Sequence, residues 1–206
     1  MRQPPASVFV GVTGASGAPY AVRLVRALAD AGCELSLCLS EAGVAVVGHE
    51  LELGVSERVE VTAAFLAAAG PQAQAQARVY APDDLAAPAA SGSNFPDAAC
   101  ICPCSMSSVA HIALGTTRTL IHRVGDVALK EGRPLVLVPR ETPLSEIHLT
   151  RLLEARRAGA VIVAPMPGFY ALPRTLDDVI DFVVGKVLSA LCFEHRLSPR
   201  WEGTRP

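Results

Sequence analysis

The stretch that most constrains this chain is SVFVGVTGASGAPY, residues 7–20. Val8, Phe9, Val10 and Val12 make a short β-branched and aromatic run, the pattern of a buried strand. The run breaks at Thr13-Gly14-Ala15-Ser16-Gly17, and an apolar periodic segment follows with Tyr20, Leu24, Val25 and Leu28 on one side. This is strand, tight glycine turn, helix. Such a turn leaves backbone N–H groups at a helix start, which favours an anion such as phosphate. The glycines fall at 11, 14 and 17, so the dinucleotide spacing G-x-G-x-x-G fails, and no Gly-Lys-Ser/Thr follows to make a Walker loop. A βα turn that binds nothing explains the stretch equally well.

The same alternation continues. Strands are predicted at 33–39, 78–80, 97–102, 135–138 and 161–164. Helices are predicted at 41–51, 59–69, 106–114, 120–130 and 145–158, with a last long one starting at Thr175. Residues 70–77, with their Gln-Ala alternation, read as a low-complexity surface connection, and 81–96, rich in Pro and Ser, as a loop. Alternating strands and helices indicate an α/β fold with a mostly parallel sheet. With 206 residues and no linker, a single domain spanning 1–206 is expected. In such sheets the ligand crevice lies beyond the carboxyl ends of the strands. The loops at 13–17, 40–41, 103–108, 139–143 and 165–173 therefore carry the chemistry.

Composition narrows the class. Half of the residues are apolar, yet no uninterrupted apolar run is long enough to span a membrane, so the excess is expected to meet other copies in a homo-oligomer. The net charge of −2 gives no basic footprint for nucleic acid. Six cysteines and no signal-peptide pattern point to a reduced, cytoplasmic protein. Cys100, Cys102 and Cys104 alternate as side chains on one strand face would, and they lack paired C-x-x-C spacing for zinc. No metal site is expected. Asp177-Asp178-Val179-Ile180-Asp181 matches D-D-x-x-D, but it begins two residues after Thr175, which makes Asp178 a capping-box residue. The five histidines are scattered and form no triad or H-x-x-x-H pair.

Ser16, Ser40, Ser105, Ser107 and Ser108 place hydroxyls and helix-start amides near one crevice, and Arg140 and Glu141 emerge from a strand end. This suits an anionic, aromatic ligand such as a mononucleotide, although each serine alone is equally an ordinary N-cap. Arg123 and Lys130 lie two helical turns apart on one face, as a second anion site or as solvated surface charge. Tyr170 could add a phenolic hydroxyl to that site.

The segments VTGASGAPYAVRL, AASGS, ICPCS, LIHRVGDVALKEGRPLVLVPRETPLSEIHL, PGFY and DFVVGKVL, spread over residues 8–201, resemble the UbiX-type flavin prenyltransferases of the flavin-binding cysteine-decarboxylase-like fold group. The resemblance implies a Rossmann-like (flavodoxin-like) three-layer fold. It implies an enzyme that joins the dimethylallyl group of dimethylallyl monophosphate to N5 and C6 of reduced FMN. The product, prenylated FMN, serves a UbiD-type decarboxylase, and the assembly is a dodecamer. By motif, FMN would contact Gly14, Ala15, Ser16, Ser40, Ser105, Met106, Ser107, Ser108 and Arg140. Ser91, Gly92, Arg123, Lys130, Tyr170 and Lys186 would hold the prenyl phosphate. Ser16, Glu50, Glu141 and Trp201 would be catalytic, with the tail 195–206 closing over the site. Lys186 stands where the family pattern has Arg. An FMN-dependent oxidative decarboxylase of a cysteine-containing substrate and a non-catalytic flavin-binding subunit are the competing readings. The turn Cys102-Pro103-Cys104-Ser105 lacks the Asn that the decarboxylases carry.

Overall fold

Alternation along the first strand sets both faces of the sheet. In β1 (Ser7–Val12), Val8, Val10 and Val12 face one apolar core and Phe9 the other, all of them buried. The computed structural model describes residues 3–197. β1 is joined by β2 (Glu34–Leu39), β3 (Ala77–Val79), β4 (Ala98–Cys104), β5 (Leu135–Pro139) and β6 (Val161–Ile162) in one sheet of order β3-β2-β1-β4-β5-β6. Every pairing is parallel, where a mostly parallel sheet was expected. The strand order reverses between β1 and β4, which opens a crevice at their carboxyl ends.

Helices cover both faces. α1 (Ala18–Asp30), α2 (Glu41–Glu50), α3 (Arg58–Ala69), α4 (Pro71–Gln76) and α8 (Leu176–Ala190) accompany the core of Val8 and Val10. α5 (Met106–Ala113), α6 (Leu120–Lys130) and α7 (Glu146–Ala158) lie on the face of Phe9. α6 approaches closely: a Cβ on Gly11 would stand 2.8 Å from the Ile101 side chain and 3.0 Å from that of Ile121. None of these helices is long and apolar enough to cross a membrane.

Two local readings need correction. Residues 71–76 form α4 rather than an irregular connection. Gly70 adopts φ +112°, Pro71 pre-sets the first helical turn, and Ala73 is fully buried. β4 does not stop at Cys102; it continues through Pro103, whose preceding peptide is cis, and its register against β5 shifts between Ile101 and Cys104. That shift breaks the alternation of the cysteines. Cys100 and Cys102 face one core, and Cys104 faces the other. Burial pushes the Cys102 thiol up to about 12 and raises that of Cys104 as well, so they are inert packing groups.

The ends of β1 and β4 are fastened together by Thr13, which is 2 % exposed. Its N–H and Oγ1 both donate to the Pro103 carbonyl, at 3.2 and 2.8 Å, and Oγ1 accepts the Ser105 N–H at 2.7 Å.

Among the described residues five of the eight α-helix starts are capped by a side-chain hydroxyl, and α1, α3 and α4 are not. Ser40, Ser105, Thr119, Ser145 and Thr175 cap α2, α5, α6, α7 and α8 with their own hydroxyls. Thr175 and Asp178 form the capping box expected of the D-D-x-x-D stretch, and Asp181 pairs instead with Arg23 of α1 at 2.6 Å. α1 has Gly17 at its N-cap and no cap of its own. Its cap is the Glu50 carboxylate at the end of α2, which accepts the N–H groups of Gly17 at 2.9 Å and Ala18 at 2.7 Å.

Burial alone would raise the Glu50 carboxyl, but hydrogen bonds from Ser16, Gly17 and Ala18 and the charge of Arg140 outweigh it and hold it below its ordinary value. The ionised cap therefore stabilises the fold above the unfolded carboxyl range, and the contribution is lost as pH falls through the lowered folded value. Glu50→Gln should flatten the loss of thermal stability below about pH 4.5, and an unchanged Tm-against-pH curve would refute the cap. Thr13→Val should lower stability by about 1–3 kcal/mol, since it leaves the half-buried Ser105 N–H without its partner. Urea unfolding of the two proteins checks this, and equal midpoints would refute the fastening role.

Candidate functional site

Three capped helix starts meet at the reversal of strand order. Ser40, Ser105 and Thr119 all line a cavity of about 710 Å³ beyond β1 and β4. Each hydroxyl accepts the amide three residues on: Gly43 at 3.0 Å, Ser108 at 3.2 Å and His122 at 3.4 Å. The earlier amides of each helix have no intrahelical acceptor, so three positive helix ends converge on one volume. Arg58 and Arg118 add formal charge at its rim. Arg58 donates to the Leu39 carbonyl at 2.6 Å and pairs with Glu41. Glu41 and Asp83 line the same cavity, so the converging helix ends rather than net formal charge are what suit it to an anion, and its volume suits a nucleotide-sized ligand.

The glycine turn plays a different part from the one its sequence suggests. Its helix amides at Gly17 and Ala18 are taken by Glu50, so an internal carboxylate stands where a ligand phosphate was expected. Gly14 instead permits close packing: a Cβ there would stand 2.4 Å from the Cβ of Ala42, at the start of α2. Beside the turn lies a second cavity of about 690 Å³, lined by Ser16, Tyr20, His49, Glu50 and Ile180 among others. Arg140, half-buried at the end of β5, fixes its backbone on the Cys104 carbonyl at 3.2 Å. Its Nε is buried with no hydrogen-bond partner among the described residues, while its charge acts on Glu50.

The residues singled out from the sequence fall into three places. Gly14, Ser40, Ser105, Ser107 and Ser108 line the first cavity, and Ser16 and Glu50 the second. Ala15 is buried in the connecting turn. Met106 turns its side chain into the core, because it opens α5 on the face toward the sheet. Glu141 is exposed, and its carboxylate accepts the Thr142 N–H at 3.1 Å.

Ser91, Gly92, Arg123 and Lys130 assemble elsewhere. Arg123 donates to the Ala90 carbonyl at 3.1 Å and pairs with Asp126 at 2.7 Å. Lys130 pairs with Glu131 at 2.5 Å, and a Cβ on Gly92 would lie 2.2 Å from the Glu131 carboxylate. α6 runs from Thr119 in the crevice to Leu129, which lines a hollow with Ala6, Asp97 and Leu135 at the amino ends of the strands. Lys130 is thus at the far end from the anion cavity.

Tyr170 and Lys186 form a third group around Phe182, Tyr170 edge-on at 5.6 Å between centroids and the Lys186 Nζ at 5.3 Å from the ring centre. Trp201, with most of the tail 195–206, lies outside the described residues.

Sequence reasoning missed Thr13, Arg58, Arg118, Thr119 and His122. Thr119 had a legible signal, being a threonine directly before an apolar-periodic run. Arg58 had none, since it reaches the crevice from α3. The histidines, scattered in sequence, are not all apart in space: His111 and His122 stack with centroids 4.4 Å apart and planes 3° from parallel.

The family model "Flavoprotein" matches residues 2–188. The flavin prenyltransferase UbiX of Pseudomonas aeruginosa is 42% identical over 197 residues, covering 96% of this chain and 94% of that one. The protein of the same name from Halalkalibacterium halodurans is 45% identical over 192 residues, covering 93% and 91%. The crystal structure of AnUbiX (PadA1) with FMN and dimethylallyl pyrophosphate superposes with a TM-score of 0.85 at 37% identity, covering 99% of this chain and 100% of that one. A dodecameric FMN-dependent UbiX-like decarboxylase from Escherichia coli O157:H7 gives 0.82 at 41% identity, covering 96% and 100%. A fold with three helix starts around an anion cavity, matched over nearly its whole length at this identity, places the chain in the UbiX flavin prenyltransferase family of flavoproteins.

Proposed function

We propose that this chain is a flavin prenyltransferase that transfers the dimethylallyl group of dimethylallyl monophosphate to N5 and C6 of reduced FMN. The convergence of the α2, α5 and α6 starts on one cavity carries the reading. That convergence suits the phosphate end of FMN, and the neighbouring cavity with Ser16, Tyr20 and Glu50 gives its ring a place beside Arg140.

Reduced FMN supplies the nucleophilic nitrogen and the ring carbon that closes the new ring. The protein's part is position and field. Breaking the allylic C–O bond releases phosphate and leaves a dimethylallyl fragment with cationic character. Arg123, Lys130 and Lys186 would offset the charge that develops on the phosphate, with Tyr170, Ser91 and Gly92 positioning it. Forming the N5 bond releases the N5 proton, and closing the ring adds a proton to the alkene and takes one from C6, so that one proton is left to go with the phosphate. Glu141 would relay these protons, with Ser16 as the adjacent hydroxyl. Glu50, held ionised by two amides and a hydroxyl, would keep the turn in place rather than move protons. Trp201, with the C-terminal tail closing over the site, would face the prenyl group.

On one chain the phosphate-holding set lines neither cavity. A homo-oligomer resolves this, because Arg123 and Lys130 of one copy can complete the crevice of another. Exposed Ile147, Leu149 and Leu153 on α7, and Met166, Phe169 and Leu172 near α8, supply apolar surface for such contacts. The E. coli relative is a dodecamer, and the same assembly is proposed here. The product, prenylated FMN, would pass to a UbiD-type decarboxylase. Six free thiols suit a reducing cytoplasm.

Anaerobic incubation with reduced FMN and dimethylallyl monophosphate, without added magnesium, should release a flavin five carbons heavier by mass analysis. Recovery of unmodified FMN would refute the activity. Glu141→Gln should lower turnover by roughly 10²–10⁴-fold while FMN stays bound, and unchanged prenylation would remove Glu141 from the mechanism. Arg140→Ala and Lys130→Ala chains should each be inactive alone. Mixed during assembly in equal amounts, they should recover about a quarter of wild-type turnover, as random pairing of copies dictates. No recovery would place both residues in a site built by one chain.

A further inference from the structure

His122 is not used by the mechanism above, yet it stands in the wall of the anion cavity. It is 9 % exposed, and its Nδ1 is buried with no hydrogen-bond partner among the described residues. Its Nε2 lies 3.4 Å from the Ser108 hydroxyl. The neighbouring bonds assign the proton. The Ser108 N–H donates to Ser105 Oγ at 3.2 Å, and Ser105 Oγ–H donates to Ser108 Oγ at 3.1 Å. That leaves the Ser108 hydroxyl hydrogen for His122, so Nε2 accepts and the ring is neutral with its proton on Nδ1.

The surroundings hold it neutral. His111 of α5 lies face to face with it and donates from Nδ1 to the Ser107 carbonyl at 2.8 Å. Arg118 brings a positive charge from the loop before α6, while Arg58 of α3 and Glu41 of α2 pair with each other across the cavity. Asp83 lines the same wall, and on α6 itself Arg123 and Asp126 are paired. Burial first, then His111 and Arg118, push the His122 ring down to about 4.

We propose that His122 is a proton-linked ligand for the phosphate ester at this helix-start cluster, taking up one proton when the ester occupies the Ser105–Ser108 turn. This rests on the flavin reading and deepens it. A phosphate oxygen is a stronger acceptor than a neutral imidazole and takes the Ser108 hydroxyl. Nε2 is then released, and the dianion offsets Arg118, so the protonated ring becomes the favoured form. The proton comes from solvent, no covalent bond is made or broken, and Nε2–H then donates to the ester. A neutral His122 in the free protein also leaves the α5 start without a resident cation that would attract a competing carboxylate.

The linkage sign follows. His122 is neutral in the free protein above about pH 4 and protonated in the complex at higher pH. Binding therefore takes up protons in between and tightens as pH falls. Calorimetric titration of the FMN-stripped protein with FMN, in buffers of different ionisation enthalpy, counts the protons. Wild type should take up close to one more than His122→Gln, the ester's own titration cancelling between the two. Its affinity should rise roughly tenfold more than the variant's between pH 8 and pH 6. Equal proton counts and parallel affinity curves would overturn the assignment while leaving the flavin site intact. A wild-type protein that binds no FMN would instead overturn the flavin reading. Should the variant not fold, the ring-nitrogen shifts of His122 in the wild type decide. A midpoint that moves up on adding FMN supports the proposal, and one that stays near 4 refutes it.

Discussion

The Thr13 hydroxyl is the contact on which the rest of the site depends. It sits where two halves of a doubly wound sheet part company, and it ties them with one donated and one accepted hydrogen bond. Both partners are backbone groups, Pro103 and Ser105, so the bonds fix where α5 begins relative to the end of β1. Thr13 is almost fully buried, and in a medium of low dielectric such bonds are strong when made and costly when lost. Gly14 then lets the start of α2 come against the same turn. The convergence of helix ends is a consequence of these two packings. Without them, the positive termini of α2 and α5 would point past one another.

Charge is divided along the crevice by a single carboxylate. α1 arrives at the switch point like the other helices, but its dipole is already satisfied by Glu50 from the end of α2. An incoming phosphate is therefore turned away from the glycine turn and toward the starts of α2, α5 and α6. This gives the two cavities opposite characters. One is ringed by unfilled helix ends with Arg58 and Arg118, and the other is bounded by a fixed negative group balanced by Arg140. A flavin laid across them has its orientation chosen before any side chain touches the ring.

What was legible in the sequence was what depends on neighbours in the chain. The glycine turn, the α6 span of residues 120–130 and the caps at Ser40, Ser105 and Thr175 are local patterns, and the structure forms them. What was not legible depends on partners far along the chain. Nothing near Glu50 announces that its carboxylate meets amides at residues 17 and 18. Nothing near Pro103 says that the strand continues through it with a shifted register, which is why the three cysteines were expected on one face. The Gln-Ala stretch lacks periodicity of its own, and it becomes helical through the conformation of Gly70 and the burial of Ala73. His111 and His122 look scattered until two helices bring them together. Motif resemblance grouped Ser91, Gly92, Arg123, Lys130, Tyr170 and Lys186 together but could not say that one chain keeps them apart.

That separation has an energetic logic. Arg123 and Lys130 already have anionic neighbours, Asp126 and Glu131, and the side chains in both pairs are between 30% and 48% exposed. Pairs with that much solvent access stabilise a chain by little. In the proposed assembly, a phosphate with two negative charges enclosed where copies meet would interact with the same cations in a less polar medium and displace the carboxylates. In the shared site proposed above, Asp126 and Glu131 would yield these cations to the phosphate. A permanent cluster of bare cations in each crevice would hold product phosphate as firmly as substrate. Cations drawn from weak pairs on another copy, as proposed, would bind strongly only where the copies enclose the phosphate, and that would let phosphate leave.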